Sequence, residues 1–210
     1  MRTSITTVTP PALEPVTLAE AKLWMKVDIT EDDALITDLI VAAREYAEQS
    51  LRRALITQTK KLTLDIPRGG LDDVLGDGVY DLPVSVLVGD LPSVIELPYQ
   101  PIQSITSVKT FDTDGTESTY SSDNYFLDTA GGRLVLKDGE IWPSGLRAEK
   151  ACEITYVAGY GSAASSVPAS IKSAIKMHVQ NMYDNRIVCD APEACMKIYQ
   201  KHRIYGTHMR

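Results

Sequence analysis

Thr30-Glu31-Asp32-Asp33-Ala34-Leu35-Ile36-Thr37-Asp38-Leu39-Ile40-Val41-Ala42-Ala43-Arg44-Glu45-Tyr46-Ala47 is followed, from Thr57, by a run containing Leu62-Thr63-Leu64-Asp65-Ile66, and the change of period between them decides the fold. In the first stretch Leu35, Ile36, Leu39, Ile40, Ala43, Tyr46 and Ala47 recur at spacings of three and four, which predicts one apolar helix face. Thr30 is the expected N-cap. Glu31, Asp32 and Asp33 put negative charge in the first turn, and Arg52 and Arg53 put positive charge in the last, as the helix dipole favours. In the second stretch apolar and polar residues alternate, which predicts a half-buried strand.

Working outward, the period of two persists for about a hundred residues. Residues 68–81 are rich in Gly and Asp and read as a long loop. Val84, Val86 and Val88 form another alternating run. Ile95, Leu97, Ile102, Ile105, Val108 and Phe111 continue the β-rich region, and Asp114-Gly115 is a hairpin-turn signal. Tyr125-Phe126-Leu127 is expected to pair with Arg133-Leu134-Val135-Leu136, and Cys152 to Val157 is the last strand. A helical period then returns. Pro168 suits a helix start, where its missing N–H costs nothing. Ile171, Ala174, Ile175, His178, Val179, Met182 and Tyr183 share one face, and Pro192 opens a final helix carrying Met196, Ile198, Tyr199 and Tyr205, with Gly206 as its stop.

At the N-terminus residues 1–16 read as an extended arm. Thr17 with Glu20 makes a capping box for a short helix whose candidates for burial are Leu18, Ala21, Leu23 and Trp24. The fold class is therefore α+β. A helical domain from residues 1–56 and 166–210 carries an inserted antiparallel β-rich domain at 57–165, and Leu39, Ile40 and Ile175 are expected in its core.

The chain has 210 residues, 44% of them apolar, enough for a packed core. Its net charge of −7 argues against whole-surface nucleic-acid binding. The charge is uneven. Residues 60–167 carry eight Lys/Arg against sixteen Asp/Glu, whereas 168–210 carry seven against three. Three cysteines, Cys152, Cys189 and Cys195, without paired spacing fit a reducing cytoplasm rather than a disulfide framework. No apolar run approaches the roughly 20 residues of a membrane span, and the N-terminus lacks a signal-peptide core.

No catalytic constellation stands out. Asp112-Thr113-Asp114-Gly115 resembles the start of a calcium loop, but position twelve is Asp123 rather than Glu, so a hairpin turn is the better reading. His178, His202 and His208 lack metal-ligand spacing. Gly159-Tyr160-Gly161 precedes a helix without the Lys-Ser/Thr pair of a phosphate cradle. The expectation is no catalytic residue, no metal and no cofactor. Tyr183, Arg186, Lys197, Tyr199, Lys201, Arg203 and Tyr205 mix aromatic and basic side chains near the C-terminus. Such a mixture suits a protein interface better than single-stranded nucleic acid. With little sequence left to cover it, the final helix is expected to be loosely held. A ligand- or carbohydrate-binding module or enzyme built on the β-region is the alternative reading.

Several segments in order resemble the head–tail connector (adaptor, head-completion) family of long-tailed bacteriophages. They are Glu14 to Lys22, the Asp32-Asp33 to Arg53 helix, Ile95-Glu96-Leu97-Pro98 with Pro101-Ile102, Val108 to Gly115, Trp142-Pro143, Tyr156 to Gly161 and Val167 to Arg186. Residues 68–92 look like an extra insertion. The resemblance implies a structural virion protein made in the host cytoplasm and carried in the head–tail neck. It implies a homo-oligomeric ring, commonly a dodecamer, beneath the portal protein. The ring would extend the channel through which double-stranded DNA passes without sequence-specific binding, and would present a surface to a downstream neck or tail protein.

Overall fold

The computed structural model describes residues 3–66 and 91–204. The loop expected over 68–81, the Val84–Val88 run, Tyr205 and the helix stop at Gly206 lie outside the described residues. The chain divides into a β unit, Met1–Val8, Thr59–Leu97 and Gln103–Val157, and a helical unit, Thr9–Gln58, Pro98–Ile102 and Ala158–Arg210. The short piece 98–102 groups with the helical segments because its backbone is bonded there. Ala54 N–H donates to the Tyr99 carbonyl, and Gly159 N–H to that of Pro101.

Four helices stand among the described residues of the helical unit: α1 Leu18–Met25, α2 Asp33–Leu51, α3 Ala169–Asn185 and α4 Glu193–His202. The spacing of apolar residues on α2 and α3 brings Ile36, Leu39, Ile40, Ala43, Ala47 and Leu51 against Ile171, Ala174, Ile175, Val179 and Met182. Leu39, Ile40 and Ile175 are 6%, 2% and 0% exposed. Cys195 and Tyr199 of α4 close the same core.

α1 is short and held by its start. Thr17 Oγ1 accepts from Glu20 N–H, and the Glu20 carboxylate accepts from Thr17 N–H, which is the expected capping box. Its burial differs from expectation. Ala21 is inside, but Leu23 is 82% exposed and Trp24 43%. In eight residues Leu18, Ala21 and Met25 occupy one side at helical spacing, so Leu23 points away from it and Trp24 lies at its margin.

α2 also starts later than expected. Its N-cap is Asp32, not Thr30, and Asp32 makes no side-chain cap bond. The Asp32 carboxylate is engaged by α3 instead. At the other end Leu51 is the last helical residue, and Arg52 takes a left-handed conformation with φ 54°. Arg52 and Arg53 therefore lie beyond the last turn.

The β unit holds a five-stranded and a three-stranded sheet. The strands are β1 Thr3–Thr9, β2 Gln58–Leu64, β3 Val94–Glu96, β4 Ile102–Phe111, β5 Glu117–Thr119, β6 Tyr125–Asp128, β7 Arg133–Leu136 and β8 Cys152–Ala158. The orders are β1-β2-β8-β4-β5 and β3-β7-β6. The arm expected over residues 1–16 thus contains a sheet strand, β1. The expected β6–β7 pair forms, with Phe126 opposite Val135 and Leu127 opposite Leu134. Asp114-Gly115 turns the β4–β5 hairpin. Asp112 Oδ1 accepts from the N–H groups of Asp114 and Thr116, which occupies that carboxylate with backbone.

Candidate assembly surface

The aromatic and basic residues singled out near the C-terminus separate into three groups. At the end of α3, Tyr183 donates its hydroxyl to Asp32 Oδ2 at 2.5 Å. The guanidinium of Arg186 lies 5.5 Å from the Tyr183 ring centre and 3.9 Å from Asp32. Donation to Asp32 pushes the Tyr183 hydroxyl above its ordinary pKa. Arg186 stays largely exposed, so this corner presents a cation over an aromatic face. Lys197, Lys201 and Arg203 form the second group on the exposed side of α4 and just beyond it. Lys197 pairs with Glu193 one turn earlier at 2.7 Å, a surface pair of small energetic weight. Tyr199 stands alone as the third. It is 1% exposed and belongs to the core, so it offers no surface to a partner while α4 is packed. Burial pushes its hydroxyl pKa up.

α4 is tied down rather than loose. Ile204 N–H donates to the Leu51 carbonyl, Arg53 Nε to the His202 carbonyl at 2.6 Å, and Ser170 Oγ meets His202 Nε2 at 2.9 Å. The turn before α4 is anchored by His178, whose Nε2 lies 2.9 Å from the Cys189 carbonyl. A carbonyl only accepts, so Nε2 carries the proton. Nδ1 is buried with no hydrogen-bond partner, and Tyr46 covers the ring edge-on at 5.0 Å. Burial therefore lowers the His178 pKa, against the pull of the Cys189 carbonyl and Asp190.

A polar cluster within the helical unit went unforeseen. Arg44 and Glu48 are 7% and 5% exposed on the inward side of α2. Arg44 bonds Glu14 Oε2 at 2.8 Å, Glu48 at 3.1 Å and Glu45 at 3.3 Å. The second Glu48 oxygen accepts from Leu55 N–H and from Gln58 Nε2. Burial works against the Arg44 charge, but the three carboxylates outweigh it and hold its pKa above the ordinary value. Desolvation raises that of Glu14, with Arg44 opposing. The cluster fastens the N-terminal segment and the chain after α2 to one helix face. A signal was available in the sequence: Arg44 and Glu48 fall on the apolar stripe between Ile40 and Leu51.

Apolar surface is exposed at Leu23, Trp24 and Ile29, and again at Ile187 and Val188 after α3. Trp24 Nε1 donates to Gln180, and Lys176 stands 5.1 Å over its ring. An open groove of about 650 Å³ beside them is lined by Leu18, Ala19, Lys22, Leu23, Lys26, Val27 and Asp28. Lys22 there is engaged by Asp33 and the Ile29 carbonyl. Exposed apolar side chains grouped in this way are what an interaction surface presents.

A sequence profile of the phage gp6-like head-tail connector protein family matches residues 15–123, more than half the chain. The chain belongs to that family. It is a structural connector protein. Among solved structures, the connector's fold is shared with chains of the gene transfer agent particle. One is from the virion of the native particle, at 18% identity and TM-score 0.73, covering 98% of both chains. Another is from the neck of the empty particle computed with C6 symmetry, at 19% identity and TM-score 0.73, covering 99% of this chain and 98% of that one. A third is from the neck of the native particle computed with C12 symmetry, at 20% identity and TM-score 0.70, covering 100% and 99%. No curated protein matches the connector's sequence.

Proposed function

We propose that copies of this connector form a twelve-membered ring in the neck of a virion, beneath the portal, where the ring extends the DNA channel and receives the next neck or tail protein. The observation that carries this reading is the match of the entire chain, both units together, to a subunit fold found in a neck computed with twelve-fold symmetry. Family membership supports the connector role. The role is structural rather than catalytic. A net charge of −7 suits a channel through which DNA slides, because few phosphates would be neutralised.

The portal contact is assigned to the exposed cations of the C-terminal segment, Lys197, Lys201 and Arg203 on and just beyond α4, with Arg186 at the end of α3 as a separate point of contact. They are the exposed part of a C-terminal segment whose charge is opposite to that of the rest of the chain, and Arg is favoured at interface centres. The test is co-sedimentation with DNA-filled heads that lack a neck. Wild-type protein is expected to pellet with the heads, and the full-length double variant Lys197→Glu/Lys201→Glu to stay in the supernatant. Equal binding by both would place the portal contact on another surface. Electron microscopy of the pelleted heads gives the ring number directly.

A further inference from the structure

Strand β1 is unusual in its edge. It ends the five-stranded sheet beside β2, and all seven of its residues, Thr3-Ser4-Ile5-Thr6-Thr7-Val8-Thr9, are exposed. It carries no charge, no proline and no glycine. Edge strands left open in monomers are normally blunted by lysine, proline, a bulge or short length, because their free N–H and C=O groups recruit other strands. β1 has none of these devices, and among the described residues no strand pairs with its outer side. Ile5 and Val8 remain 39% and 54% exposed although β-branched side chains are those that pack well across strand pairs.

The opposite edge of the same sheet is β5, whose three residues are also all exposed. Tyr120 N–H donates to the Val108 carbonyl, and Asp112 N–H to that of Thr116. Thr116 and Tyr120 therefore direct their backbone groups at β4. With a period of two, Ser118 does the same, while Glu117 and Thr119 turn theirs outward. Among the described residues, two free ladders thus stand on opposite sides of one sheet, separated by three intervening strands, or about 19 Å.

We propose that, in the ring, β1 of one copy pairs edge to edge with β5 of the next. The inference rests on the ring reading above. Subunits related by rotation about one axis need two different complementary patches on opposite sides of each copy. Two open edges of one sheet meet that requirement, whereas pairing of β1 with another β1 would close a two-fold dimer and stop. Backbone hydrogen bonding supplies the attraction, and the short β5 ladder limits it to a seam that assists closure.

The test uses full-length protein bearing Thr6→Cys and Ser118→Cys, each in the middle of its strand and exposed, so folding is preserved. Rings assembled on portal-bearing heads are treated with a short bismaleimide and resolved under denaturing conditions. The double variant is expected to give a ladder of covalent multimers reaching the full ring, with each single variant at wild-type background. A dimer from Thr6→Cys alone would overturn the proposal in favour of β1 self-pairing. Rings seen by electron microscopy without a ladder would overturn the seam and leave the ring reading standing. Absence of rings would overturn both.

Discussion

At the residue scale the protein is most exposed to change where a polar group is buried. His178 shows the sign clearly. Its folded pKa lies below the ordinary value of 6.5, so the unfolded chain takes up a proton first as pH falls. The stability this residue allows is complete above that ordinary value and declines as pH drops below it, at a limit of about 1.4 kcal/mol per pH unit. Urea midpoints measured between pH 7.5 and 5 should fall for wild type and fall less for His178→Gln, which keeps a donor for the Cys189 carbonyl but cannot be charged. Glu48 should be costlier. Glu48→Ala leaves Arg44 short of one carboxylate and strips the acceptor from Leu55 N–H and Gln58. Removal of one partner from a buried ion pair costs about 3–5 kcal/mol, and a urea midpoint within error of wild type would deny the cluster its fastening role. Ile175, which is fully buried, should lose about 2–5 kcal/mol on change to Ala. It was legible as core from spacing alone. His178 was legible as a helix-face residue, but the carbonyl that fixes its tautomer comes from a turn no local pattern could place.

At the scale of elements, period and turn chemistry carried most of the reading. α2, α3, α4, the β4–β5 hairpin and the β6–β7 pair each announce themselves through residues close in sequence. Three features did not. α2 starts at Asp32 without a side-chain cap bond, and that carboxylate is instead taken by Tyr183, 151 residues away. The outward turn of Leu23, and the half-exposed place of Trp24 beside Gln180, depend on which side of α1 meets α2 and α3. β1 is a row of β-branched and hydroxyl residues whose partner, β2, lies some fifty residues on, so only the fold shows that it pairs. The capping box of α1 was legible, and it should matter because an eight-residue helix is marginal by itself. Thr17→Ala is expected to cost about 1 kcal/mol, measured as a shift in thermal midpoint. Glu20 has its pKa lowered, first by the Thr17 N–H. Its contribution is present above the ordinary carboxylate pKa and disappears as pH falls through the lowered folded value.

At the scale of the whole molecule, α4 changes how the C-terminus should be probed. Removal of residues 191–210 would strip Cys195 and Tyr199 from the core and is expected to unfold the helical unit rather than leave a soluble protein with one contact missing. Loss of far-UV helical signal from purified truncated protein is the check. The interface residues are better approached by charge reversal, because they lie on the exposed side. The chain passes between its two units after residues 8, 58, 97, 102 and 157. Neither unit is a continuous stretch of chain, and the helical one takes α3 and α4 from the far side of the inserted strands. Trp24 and Trp142 lie in different units, so Trp24→Phe and Trp142→Phe proteins each report one of them by fluorescence. Coincident unfolding midpoints are expected from the interleaved connectivity. The same crossings join the two units by five covalent connections instead of a single linker, so a protease that cuts the chain at any one of them leaves four in place.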